Sequence, residues 1–342
     1  MLGHSPFENC RIRRQTMKAW KRIKTFEQLP ILVVLFLICM VISIKAPVFL
    51  TGTNIINLLR QTAQVGICSL GICMVALVAE IDLSISAVQA AVGLLAVYLV
   101  NTTDNVPLAI LAGLALGVVI GLINATIILK GGVVALIATL AMQTIIRGIV
   151  MIITSAASIP CRSDTFKLIG VGHVGVVPVP VIFWVICAIV VYILLNRTVF
   201  GKNVYAIGGN KTAAMLCGIH VTRYKYIIFM ISGFLTAFAA LVLAGRMNSG
   251  QPSAGTGFEM SVISAVVLGG VSLNGGRGNV IGVIIGAFIL SVLANGMVLM
   301  DVNTFYQDVI RGVILILAVF LDARKEMAAK RKLVKKDDKA TG

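Results

Sequence analysis

The chain has 342 residues, of which 58% are apolar and only 12% charged, and its net charge is +16. A soluble domain spends about 25% of its residues on charge, so this chain lacks the polar side chains to coat a water-facing surface. That excludes an ordinary soluble enzyme, a disordered chain and a collagen-like rod, and leaves the bilayer as the solvent.

Residues 1–28 carry seven basic and two acidic side chains. The run 29–50 that follows has a single charge, Lys45. It is too long for a signal-peptide core and has no small-residue cleavage pattern, so it reads as an uncleaved first span. Uncharged runs continue at 61–79, 83–100, 106–129, 131–146 (carrying on past Arg147), 176–195, 226–245, 260–273, 278–300 and 304–321. Together they predict an all-α polytopic membrane protein of about ten transmembrane helices. The apolar domain covers 29–321, between the basic segment 1–28 and a basic tail, 322–342. Its weakest member is 260–273, shorter than the roughly 20 apolar residues a crossing needs.

The position of the charge sets the orientation. Residues 197–225 hold five basic and no acidic side chains, and the tail from Asp322 holds eight basic and four acidic. With the first segment these supply 14 of the 16 net charges, and all three flank long apolar runs. That is the pattern of cytoplasmic loops, so both termini and the 197–225 loop belong inside, and nucleic-acid binding is rejected. Threading ten crossings then places 101–105, 155–177, 246–259 and Asp301 outside. Glu80 and Asp82 fall near the inner face.

Glycine recurs at helix-packing spacing in Gly113, Gly117 and Gly121, and again in Gly278, Gly282 and Gly286. In lipid there is little hydrophobic drive between helices, so close backbone approach supplies the packing energy. The segment GVVIGLI at 117–123 is echoed by GVIIGAF at 282–288, and Glu80 with Ser86-Ala87-Val88 by Glu259 with Ser264-Ala265-Val266. Those pairs run in opposite directions in the threading, as an inverted repeat of spans 2–5 and 7–10 requires.

Several motifs fail on inspection. Gly208-Gly209-Asn210-Lys211-Thr212 lacks the glycine directly before lysine that lets a phosphate loop wrap its ligand. Gly170, Gly172 and Gly175 match GxGxxG but lie in an external loop with no strand-turn-helix unit. His4, His173 and His220 are too scattered for a metal site, and the cysteines, with no CxxC pair, read as small hydrophobes.

Ionisable and amide groups in the spans need partners. Asp308 and Arg311, three apart on one helix, form a local ion pair. Arg147 snorkels towards the outer interface. Asp82, Ser84, Thr139, Glu259 and Asn295 are the candidates for the substrate pathway, with capping and helix-to-helix hydrogen bonding as the competing roles. For Asn124 and Asn295 the interhelical bond is the preferred reading.

In the 197–225 loop, Asn210 is a competent N-cap, 211–217 favours helix, and Gly218 stops it. A short helix capped at both ends is more than a passive connector needs, and suits docking of a soluble partner. This loop, with the block Gly255-Thr-Gly-Phe-Glu-Met-Ser-Val-Ile-Ser-Ala-Val-Val-Leu-Gly-Gly-Val-Ser-Leu-Asn-Gly-Gly-Arg-Gly278, resembles the permease subunit of ribose, galactose and xylose-type ATP-binding-cassette importers. The similarity runs over about 30–322.

The resemblance implies a subunit of the bacterial inner membrane that moves a pentose, a hexose or a sugar-like molecule inward. Its implied partners are a second permease copy (identical or not), cytoplasmic ATPase subunits, a periplasmic sugar-binding protein and membrane lipid. ATP and magnesium are held by the ATPase, so this chain has no cofactor and no catalysis of its own. Gly208, Gly209, Asn210, Ala213, Ala214 and Gly218 become the coupling residues. Two departures stand out. The family's Gly-Gly-Ile-Asp-Leu-Ser-Val-Gly is here Ala79 to Ser86 without any glycine, and its Pro-Phe-Ile-Ala-Thr-Leu begins here with Ala135. An ion- or proton-coupled secondary transporter is the alternative, and it needs titratable groups near mid-membrane.

Overall fold

A computed structural model describes residues 28–341, with side chains described as far as 320 and at 323 and 324. The basic segment 1–28, apart from Gln28, and most side chains of the tail 322–342 therefore lie outside the described residues.

The expected helices form, in chain order. They are α1 (Leu29–Lys45), α2 (Gly52–Leu77), α3 (Ile85–Thr103), α4 (Val106–Leu129) and α5 (Ala135–Thr154), then α6 (Asp164–Val171), α7 (Val179–Arg197), α8 (Val199–Gly209), α9 (Lys211–Leu216) and α10 (Val221–Met247), and finally α11 (Phe258–Leu268), α12 (Val280–Leu299) and α13 (Thr304–Thr341). Among the described residues seven helices are long and apolar enough to cross a bilayer: α2, α3, α4, α5, α7, α10 and α12. α1 and α11 are apolar but shorter.

α2 and α10 pack against each other at the centre. α2 is buried from Thr62 to its end, and most of α10 is buried with it. α4 lies on α10 through its glycine stripe. A Cβ on Gly117 would strike the Gly233 carbonyl, and one on Gly121 the Phe229 carbonyl, so the two backbones touch. On the other side α12 packs on α11, with Gly282 against the Gly269 carbonyl and Gly286 against that of Ala265. Gly278 is a correction to the second stripe. It precedes the N-cap Asn279 and sits in the loop, where it meets Val271. The outer faces of α4, α5 and α7 expose an apolar belt that includes Leu111, Ile152, Ile153 and Val190. Contiguous bare hydrocarbon of that extent faces lipid.

The 260–273 run is also corrected. α11 has 11 residues, about 16 Å of helix against a hydrocarbon core of roughly 30 Å. The irregular stretch 269–279 follows it. Irregular backbone inside a membrane protein is tolerated only when protein satisfies it. Here the Gly276 N–H donates to the Leu77 carbonyl at 2.9 Å, and the Tyr205 hydroxyl to the Gly278 carbonyl at 3.0 Å.

The helix ends gather at two opposite faces. One holds the C-terminus of α2, the connector 78–84, α8, α9 and the 269–279 stretch. The other holds the 155–178 segment, in which Ile159–Pro160 pairs antiparallel with Ser249–Gly250 and His173–Val174 with Val177–Pro178. The GxGxxG glycines prove to be structural: Gly170 abuts the Gly245–Arg246 backbone, and Gly175, at φ 62°, turns the small hairpin. Arg147 does more than snorkel. Its guanidinium donates to the carbonyls of Pro252 at 2.6 Å and Ala254 at 2.8 Å, pinning the 248–257 loop.

Candidate functional site: a capped helix at one face and a polar cavity inside

Asn210 ends α8 and begins α9. Its Oδ1 accepts from the Ala213 N–H at 2.9 Å, and α9 closes where Gly218 turns left-handed at φ 82° and the Ile219 N–H reaches the Ala214 carbonyl. Two cap devices thus hold six residues helical that could not stay so alone. Gly209, Asn210, Ala213 and Gly218 are exposed, whereas Ala214 is buried and Gly208 is half-buried. The most exposed apolar side chain here is Leu216, at 85%, with Met215 beside it at 51%. Neither was singled out from the sequence, although the i, i+1 apolar pair on a six-residue capped helix was visible.

The helix that leads into it, α8, is tied to the bundle. Gly208 lies so close to the Leu77 carbonyl and the Gly276 N–H that no side chain fits there. Asn203 hydrogen-bonds the Tyr224 hydroxyl, and Phe200 stacks on the Tyr224 ring at 5.3 Å. Lys225 makes a buried ion pair with Glu80, joining α10 to the 78–84 connector. Burial pushes the Tyr205 hydroxyl up to about 12, so it stays a proton donor to Gly278. α8 is thus held against the end of α2 and the 269–279 stretch.

Asp82, Ser84 and Thr139 meet in one buried knot at the same face. Asp82 accepts from the Ser84 N–H at 3.0 Å and from its hydroxyl at 2.6 Å; Asn124 donates to the Ser84 hydroxyl at 2.9 Å. Thr139 accepts from the Leu83 N–H at 3.1 Å. Burial raises the Asp82 carboxyl, and the Ser84 hydrogen bonds work against that rise. Asn295 exchanges two hydrogen bonds with Asn54, at 2.9 and 3.0 Å, linking α12 to α2. Glu259 sits buried in the first turn of α11, with Gln143 donating to Oε1 at 3.4 Å and Oε2 unpartnered. The Asp308–Arg311 pair forms at 2.9 Å.

None of those five pathway candidates lines the polar cavity between these helices. That space, about 260 Å³, is enclosed by α2, α3, α10, α11, α12 and α13, and its polar wall includes Gln64, Gln89, Arg246, Ser261, Ser264 and Ser291. A second cavity of about 280 Å³ shares Gln89 and Arg246 with it and opens beneath the 248–257 loop. The wall residues were not picked out from the sequence, because lone glutamines and serines in apolar runs carry no motif.

A lipid-belted helical bundle with a polar interior and a structured docking loop is a transporter's membrane subunit. The comparisons with known proteins make this specific. The family model described as "Branched-chain amino acid transport system / permease component" matches residues 54–319. The chain is 38% identical over 318 residues to the ribose import permease protein RbsC of Escherichia coli K12, covering 92% of this chain and 98% of that one. It is 42% identical over 294 residues to RbsC of Bacillus subtilis, covering 85% and 91%. It is 38% identical over 292 residues to the L-arabinose ABC transporter permease protein AraH of Azospirillum brasilense, covering 85% and 86%. No solved structure matches. The chain belongs to this family of ATP-binding-cassette importer permeases. It is a multi-pass membrane component rather than an enzyme, and ATP hydrolysis belongs to a separate subunit.

Proposed function

We propose that this chain carries a monosaccharide, a pentose or a hexose, across the bacterial inner membrane into the cytoplasm. The ribose and arabinose named for its relatives support that substrate class. Its partners are cytoplasmic ATPase subunits, which bind ATP and magnesium, a periplasmic sugar-binding protein, and a second permease copy.

The chain crosses ten times with both termini inside, the crossings being α1, α2, α3, α4, α5, α7, α10, α11 with its irregular extension, α12 and α13. The inverted repeat finds support in the helix partners. α4 packs on α10 as α12 packs on α2, α3 on α10 as α11 on α2, and α5 on α3 as α13 on α11. An exchange of α2–α5 with α10–α13 leaves that pattern unchanged, as a pseudo-twofold axis in the membrane plane would.

The observation that carries the mechanism is α9, capped at both ends and presenting Met215 and Leu216 to solvent. The ATPase grips this helix through Gly209, Asn210, Ala213 and Gly218 with those two apolar side chains, while Gly208 and Ala214 seat it on the bundle. Nucleotide-driven closure pushes α9, and the push reaches α2 through Gly208 and the 78–84 connector through Lys225. The two halves of the bundle then rock around the polar cavity, which is the solute's path. The test is Leu216→Asp in the full importer. The side chain is exposed, so membrane level stays normal, while copurification with the ATPase and ATP-driven sugar uptake are lost. Retention of both by that variant contradicts the reading.

A further inference from the structure

Charged and polar groups inside a membrane protein ordinarily pair with one another, as Asp82, Ser84 and Thr139 do with their neighbours. The cavity wall is built the other way. Ser264 and Ser291 are each 2% exposed, and their buried hydroxyls have no hydrogen-bond partner. Gln64 and Gln89, also buried, share one long bond of 3.4 Å, and Gln89 adds only a 3.5 Å approach to the Cys68 sulfur. Arg246 lines both cavities, and among the described residues it has no hydrogen bond or ion pair. No carboxylate faces either space, and Arg311, at the edge of the first, is already matched by Asp308.

We infer that this cavity is itself a selective binding station for one monosaccharide, with Arg246 as its anchor and Gln64, Gln89, Ser264 and Ser291 as its hydroxyl readers. The inference rests on the permease reading and adds to it a substrate-recognition role for this chain, apart from the binding protein. The donor and acceptor inventory selects the ligand class. A guanidinium offers five donors and no acceptor, so its ligand must present lone pairs, as adjacent sugar hydroxyls do in a forked arrangement. The two amides and two hydroxyls both donate and accept, which matches groups that are themselves both. A cavity of about 260 Å³ is at the small end of ligand pockets, room for one sugar ring rather than two. An uncompensated positive charge with no carboxylate nearby rejects a cationic solute of the same size.

The test uses the purified full-length chain in lipid nanodiscs, without ATPase or binding protein, observed by saturation-transfer NMR with D-ribose, L-arabinose and D-glucosamine. Saturation is expected from at least one of the two neutral sugars and none from the glucosamine cation. Arg246→Gln lowers the neutral-sugar affinity about tenfold, the worth of a hydrogen bond to a charged group, and lets the glucosamine cation in. Ser291→Ala removes only an unpartnered hydroxyl, so it leaves the fold intact while weakening the sugar signal; Asn196→Ala, at the far end of α7, changes nothing. The proposal is overturned if neither neutral sugar saturates, if glucosamine binds the unsubstituted chain as well as they do, or if Arg246→Gln and Ser291→Ala leave the signals untouched. The permease reading stands or falls separately, on ATP-driven uptake by the whole importer and its loss in Leu216→Asp.

Discussion

The knot around Asp82 and the wall around Arg246 are built from the same kinds of residue and are almost equally shielded from water, yet they differ in what their polar atoms do. In the knot, Asp82, Ser84, Asn124 and Thr139 hold one another and the adjacent backbone at 2.6 to 3.1 Å. Along the wall, two hydroxyls and a guanidinium are left open and two amides are barely engaged. An unsatisfied buried polar group costs about 1–3 kcal/mol, a cost that a ligand in the cavity would relieve. The hydrogen bonds around Asp82 hold the fold, whereas Arg246 faces the two cavities with no partner of its own among the described residues.

The largest effect should come from breaking the satisfied face at its ion pair. Glu80→Ala leaves Lys225 buried and alone, and is expected to cost about 3 kcal/mol of stability in detergent. Adding Lys225→Met should recover most of that loss, and thermal unfolding of the single and double variants checks both. Next, Asp82→Ala strands the Ser84 N–H and hydroxyl and should cost about 2 kcal/mol. Sugar uptake by that variant should fall only in proportion to the amount of protein in the membrane. Asn295→Ala removes one interhelical pair and should cost about 0.6 kcal/mol, the usual worth of such a bond in a membrane protein. The smallest stability change belongs to the wall. Ser264→Ala should shift unfolding by less than about 0.5 kcal/mol while reducing uptake per molecule. That inversion, a stable protein that transports poorly, sharpens the contrast with Asp82→Ala. If both variants lose uptake only through abundance, the two regions do not differ in role.

The sequence makes legible what depends on neighbours along the chain. Apolar runs locate the helices, the 113/117/121 stripe finds its close approach, Asn210 caps α9, and Asp308 meets Arg311 one turn away. The shortness of 260–273 already warned of a half-helix. What stays hidden depends on residues far apart in sequence. Glu80 and Lys225 are separated by 145 positions, and only the packing of the 78–84 connector beneath α10 brings them together. The wall is harder still, since six helices contribute to it and no local spacing links Gln64, Gln89, Arg246 and Ser291. The pathway candidates read from sequence were chosen for being charged or polar in an apolar run, and that criterion does not separate a group already engaged from one left open.

The central claim is that solute crosses through this chain on energy delivered by an ATPase at α9. Uptake of labelled ribose and arabinose by cells carrying the full importer measures it most directly, with ATP depleted in one arm and the ion gradient collapsed at constant ATP in the other. The account predicts that uptake stops with ATP and survives loss of the gradient. Uptake that survives ATP depletion and stops with the gradient would contradict it.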